Sequence, residues 1–283
     1  MQAIVETVFD AVYLISVIAI GILMIVKSKG NREYRLFGIM AVVLGAGDSF
    51  HLVPRAVALC TTGLENFTVP LGMGKFITSI TMTIFYIILY YVWRIRYKVE
   101  GRKNITIAVY VLSLLRIILC LFPQNKWLSA SAPISWGMYR NIPFALLGLL
   151  IIVLFYKSAK ETSDTEFRYM WLTIVFSFGF YIPVVLWADA VPMIGMLMIP
   201  KTCAYVWTVL IGFQSMKKIW HNDTKNTSFG KFISFPKDVF FYRAFSRVKI
   251  NSVPIPSVLI TLIFWSWAWM ISLTIERPRP VPF

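Results

Sequence analysis

Long apolar runs alternate with short polar connections along nearly the whole chain. Most of the runs reach about 20 residues, the length a helix needs to cross hydrocarbon. The pattern predicts eight spans, at about 3–26, 36–59, 74–93, 105–122, 142–156, 169–187, 193–213 and 256–275. The expected fold is all-α, a polytopic transmembrane helix bundle. Seven core spans occupy residues 1–218. A linker at 219–254 follows, then an eighth span and an extended tail at 255–283.

Composition agrees with the pattern. The chain has 283 residues, 58% of them apolar, and its longest polar stretch is too short to fold a soluble core. The net charge of +15 raises a nucleic-acid reading. The basic residues, however, sit mostly in short loops between spans, where they set topology. Lys27, Lys29, Arg32 and Arg35 follow span 1. Arg94, Arg96, Lys98, Arg102 and Lys103 follow span 3, Lys157, Lys160 and Arg168 follow span 5, and Lys217 and Lys218 follow span 7. The loops after spans 2, 4 and 6 are poor in positive charge. The N-terminus is therefore expected outside, with the basic loops cytoplasmic. A cleavable signal peptide is not expected, since the first residues carry Glu6 and Asp10 in place of a basic region. Within 229–249, aromatic and basic residues alternate (Phe232, Phe235, Lys237, Phe240, Phe241, Arg243), which fits an amphipathic segment on an anionic membrane face. With three cysteines there is no disulfide framework, although Cys60 and Cys120 share one side of the membrane and leave a bridge open.

Charge inside the spans changes the picture most. Gly45-Ala46-Gly47-Asp48-Ser49-Phe50-His51-Leu52-Val53-Pro54-Arg55 lies within an apolar run and puts an acid, an imidazole and a guanidinium on one helix face, at i, i+3 and i+7. Such groups are costly in lipid and mark a bundle interior. At a rise of ~1.5 Å per residue, Asp48 lies ~18 Å and Arg116 ~16 Å from the cytoplasmic edge. By the same measure Lys201 is ~12 Å and Asp10 ~10 Å from the outer edge. His51 and Arg55 lie further out than Asp48, and Lys75, Arg140 and Asp189 sit near the outer rim. The cytoplasmic halves are almost free of charge. This one-sided distribution predicts an outward-opening polar pocket, lined by Asp10, Asp48, His51, Arg55, Lys75, Thr78, Arg116, Lys201 and Tyr205, above an apolar plug near Tyr86 and Thr208. A structural ion-pair network is the competing reading, and interhelical packing competes for the hydroxyl stripes. Asp48 is expected to pair with Lys201, directly or through one water or His51. Pro200, read as mid-helix, is expected to free the Met196 carbonyl and open the helix beside Lys201.

The wording of spans 2, 3 and 7 resembles that of uncharacterised bacterial multi-pass membrane proteins. The residues that carry the resemblance are Gly47 to Arg55, Gly74-Lys75-Phe76-Ile77-Thr78-Ser79 and Ile199-Pro200-Lys201-Thr202-Cys203-Ala204-Tyr205. It implies the architecture and a bacterial plasma membrane, and it supplies no activity. The layout also resembles that of microbial rhodopsins, with seven spans, an external N-terminus and a mid-membrane lysine in span 7. Tyr181-Ile182-Pro183-Val184-Val185-Leu186-Trp187 resembles that family's aromatic-proline stretch. The chain departs from that pattern at Leu197 and Met198, one turn before Lys201, and in a span 3 without a carboxylate. Gly47-Asp48-Ser49 resembles the serine block of a soluble esterase family, but it falls in mid-span and not at a strand-to-helix turn.

Two function classes follow. In one, the bundle is a receptor, sensor or carrier for a small anion or an acidic lipid headgroup, because intramembrane bases outnumber deep acids. In the other it is a membrane enzyme on a lipid substrate, with Asp48 and His51 as acid and base and Lys201 as a further catalytic candidate. A retinylidene-type use of Lys201 is a third, remote reading. No metal site is expected, since Asp48 and His51 find no obvious third ligand. No cofactor is expected. The expected partners are membrane lipids and the anionic guest, and nucleic acid is not among them.

Overall fold

A computed structural model describes residues 2–129, 132–187 and 191–226. The amphipathic segment at 229–249, the eighth span and the tail lie outside the described residues, as does Asp189. Among the described residues the fold is all-helical: α1 (Gln2–Lys27), α2 (Arg32–Cys60), α3 (Thr68–Arg96), α4 (Lys103–Leu121), α5 (Ile134–Glu161), α6 (Met170–Trp187) and α7 (Met198–Asn226). Short 3-10 turns precede α3, follow α4 and precede α7. Seven helices are long and apolar enough to cross a membrane. Consecutive helices pack as antiparallel neighbours, and α7 returns to pack on α1 and α2, so the set closes into a ring.

Local chemistry explains the boundaries. Between α1 and α2, Lys29 and Gly30 take left-handed conformations, and the Asn31 side chain then caps α2 by accepting the Glu33 N–H at 2.9 Å. The α3 helix starts six residues before the predicted span, and α5 starts eight before. The added turns of α3 carry Pro70 and Gly72, those of α5 carry Trp136, Tyr139, Arg140 and Asn141, which the pattern alone reads as loop, and Pro143 lies within α5.

The α7 region departs from expectation in kind. Pro192–Leu197 is a 3-10 turn, and the α-helix begins only at Met198. Pro200 therefore lies in the first α-helical turn and not in mid-helix. A first-turn proline forfeits no intrahelical bond, because the N–H it lacks would have had no partner there. The Met196 carbonyl is not left open, since the Met198 N–H reaches both it and Gly195. The helix also continues to Asn226, well past the predicted end of the span.

One close crossing sets the heights that matter for the site. A Cβ on Gly38 would stand 2.7 Å from the Gly21 carbonyl oxygen, so α1 and α2 touch backbone to backbone there. Counting from that point at ~1.5 Å per residue, Tyr13 is ~12 Å and Asp48 ~15 Å toward the same end. The two side chains meet.

Candidate functional site: a closed polar centre

The intrahelical charges come together around Lys201. Asp48, on α2, accepts the Tyr13 hydroxyl at 2.6 Å. Lys201, one turn into α7, is 6% exposed, and its ammonium stands over the rings of Tyr181 (4.8 Å) and Tyr205 (5.1 Å). Such faces attract a desolvated cation. The Tyr181 hydroxyl donates to Asn141 Oδ1 at 3.0 Å, and Arg116 Nη1 donates to the same oxygen at 3.3 Å. Arg116 is 2% exposed, lies 3.4 Å over the Phe144 ring, and donates from Nε to the Ser79 carbonyl at 3.4 Å. Ser177 lies within hydrogen-bonding reach of Tyr86 and Tyr205. All seven helices thus contribute a group to one centre.

The expected direct ion pair is not formed. Among the described residues no carboxylate lies within 4 Å of Lys201 or Arg116. Asp48 and Lys201 influence each other electrostatically, as do Lys201 and Arg116. The reason is steric: Tyr181 and Tyr205 line the ammonium with ring faces, while Asp48 turns to Tyr13. An aromatic layer closes the centre on its other side. Tyr86, Phe144 and Phe178 stack edge-on or tilted at centroid distances of 5.0 to 5.6 Å. Beyond it Val17, Met40, Leu44 and Leu89 are sealed, each at most 1% exposed.

The other candidate residues divide. Asp10 is buried and shares its electrostatic surroundings with Glu6, Arg55 and Asp48. Arg55 pairs with Glu6 in a short contact. His51 bonds the Leu71 backbone, while its buried Nδ1 has no hydrogen-bond partner among the described residues. Thr78 spends its hydroxyl on the Gly47 carbonyl at 3.0 Å, and Thr208 on Thr173 at 2.8 Å, both as contacts between helices. Lys75 is exposed. Cys60 and Cys120 are free thiols, so no bridge joins them. Clefts open on the described surface. One, of about 570 Å³, lies between α3 and the α4–α5 connection. Another, of about 610 Å³, is at the opposite end beside Arg96 and Asp164. Neither is lined by Asp10, Asp48, Lys201 or Tyr205.

Asn141, Tyr181 and Ser177 are the members that sequence reasoning missed. Asn141 fell just before the predicted start of span 5. Carrying the helical spacing back through Arg140 would have put it on a helix face. Comparison with protein-family models, with curated proteins and with solved structures finds no match to this chain.

Proposed function

We propose that the chain is a multi-pass protein of a bacterial plasma membrane, with its N-terminus outside, and that its polar centre takes up a small anion or an acidic lipid headgroup. It works in the manner of a receptor or carrier. The membrane part rests on the seven apolar helices, and the orientation on the basic loops that follow helices 1, 3, 5 and 7. One observation carries the guest. Two buried cations, Lys201 and Arg116, have aromatic faces and neutral acceptors around them, with no carboxylate at ion-pair distance among the described residues. Of the two buried acids, Asp10 and Asp48, neither reaches Lys201 or Arg116 among the described residues, so an anion could neutralise charge where hydration is weakest. An anion entering from the helix-1 N-terminal side, past Asp10, would offset that charge as Tyr181 and Tyr205 give way.

The test is calorimetric titration of the purified protein with inorganic phosphate and, separately, with phosphatidylglycerol in mixed micelles. Lys201→Met should weaken whichever binds by about tenfold, the worth of a charge-assisted hydrogen bond. Equal affinity in wild type and variant would remove the anionic guest. Labelling from outside of a cysteine placed at Ser28 would reverse the orientation.

A further inference from the structure

A second feature stands apart from the polar centre. The connection after α4 is built as a rigid wall against α3. Asn125 is fully buried, and its amide donates to the carbonyls of Leu119 at 2.7 Å and Phe122 at 2.8 Å, which closes the end of α4. Its Oδ1 accepts Arg140 Nη1 at 2.8 Å. The next element of the wall is Trp127. Its indole N–H donates to the Cys120 carbonyl at 2.9 Å, the Arg140 guanidinium lies 4.2 Å over its ring, and Phe76 meets it at 5.7 Å. A Cβ on Gly72 would stand 1.8 Å from the Trp127 carbonyl oxygen, so only glycine lets the wall approach α3 this closely.

Between this wall and α3 runs the cleft of about 570 Å³, with Met73, Phe76, Phe122, Trp127 and Leu128 among its lining. Met73, Phe122 and Leu128 keep 40 to 52% of their surface exposed, which water would penalise and lipid would not. One charged residue lines it, Lys126, which is exposed. Neither Lys126 nor Arg140 has a carboxylate within 4 Å among the described residues, and no acidic residue lines the cleft. An apolar, aromatic slot with a cationic rim fits an amphipathic anion.

We infer that this cleft holds an acyl chain of an acidic phospholipid, with the phosphate at Lys126 and the charge of Arg140 behind Trp127. A zwitterionic lipid would fill the same slot but gain less from the rim. The inference rests on the membrane reading and is independent of the guest at Lys201.

The test uses the full chain in nanodiscs carrying lipids brominated on the acyl chain. The quenching assigned to Trp127 is the difference between wild type and Trp127→Phe. Brominated phosphatidylglycerol should quench it at about fivefold lower mole fraction than brominated phosphatidylcholine, the scale of one interfacial lysine. Lys126→Gln should abolish that preference, and Lys201→Met should leave it intact. Should Trp127→Phe fail to fold, native mass spectrometry of the delipidated protein replaces the optical readout. Wild type should then retain one more phosphatidylglycerol than Lys126→Gln. Equal quenching by the two headgroups, equal retention, or a preference that survives Lys126→Gln overturns the inference.

Discussion

Two arginines in this protein are both largely withdrawn from solvent, and they are treated in opposite ways. Arg96, at the end of α3, meets Asp164 through two bonds of 2.9 and 3.0 Å, Glu166 at 3.1 Å and Glu33 at 3.2 Å. It also lies 4.5 Å over Phe167, and Ser215 bonds Glu166 beside it. One guanidinium thereby ties together α2, α3, the α5–α6 loop and α7. Arg116 is buried more deeply, yet among the described residues its partners are carbonyl, amide, tyrosine hydroxyl and ring face, and Lys201 near it has two tyrosine rings. Burying a charge is tolerable in a fold only when its partners repay the lost hydration. At Arg96 the protein supplies the counter-charge itself, in excess. At the centre it does not. A cluster complete within the chain holds helices together, whereas one with unbalanced charge is what the proposed guest would complete.

The contrast can be broken at three points, taken here from the largest effect to the smallest. Arg96→Met should destabilise the fold by about 3 kcal/mol, because it leaves three carboxylates facing one another without their cation. Denaturant unfolding in detergent would measure this. A change within error would mean that the hub is no lock.

The second effect is a response to acid at the same end. Burial pushes the Asp164 carboxyl up, but the Arg96 guanidinium and the N–H groups of Phe167 and Glu166 outweigh it and hold the group below its ordinary value. A depressed carboxylate contributes stability that is present above its unfolded value, near 4, and is lost as pH falls through the folded value. Melting temperature should therefore drop below about pH 4, and Asp164→Asn should remove about 1 kcal/mol of that pH dependence, discounted for solvent at the loop. An unchanged acid limb in Asp164→Asn would show that Asp164 is not its source.

The third effect should be nearly nil. Lys201→Met keeps the volume of the side chain and removes a cation that no carboxylate touches, so stability should stay within about 1 kcal/mol of wild type or rise. A loss as large as that of Arg96→Met would make the centre a second structural lock, and the anionic guest would lose its main support.

The features that were legible in the chain are those that depend on local composition. Seven apolar helices appear where hydropathy put them, because a run of about 20 apolar residues has few other stable forms. Asp48, Arg116 and Lys201 stood out for the same reason, as ionisable residues inside such runs, and all three are buried. Helix ends were less legible. The α3 helix begins in a stretch with Pro70 and Gly72, the α5 helix begins in residues whose polarity resembles that of a loop, and at Pro200 a helix start had the look of a kink.

The sequence by itself determined which helices form and which of their residues could not face lipid, since both follow from transfer costs paid residue by residue. The tertiary structure alone decided who partners whom. Each partnership depends on the rotation and height of one helix against another, and those are set by contacts distant in the chain, such as Gly21 on Gly38. That crossing gives Asp48 to Tyr13, the turn of α6 and α7 gives Lys201 to two tyrosine rings, and the backward extension of α5 brings Asn141 between Tyr181 and Arg116. No spacing along a single helix encodes these choices, because a helix turned by a fraction of a turn keeps its spacing and changes every neighbour.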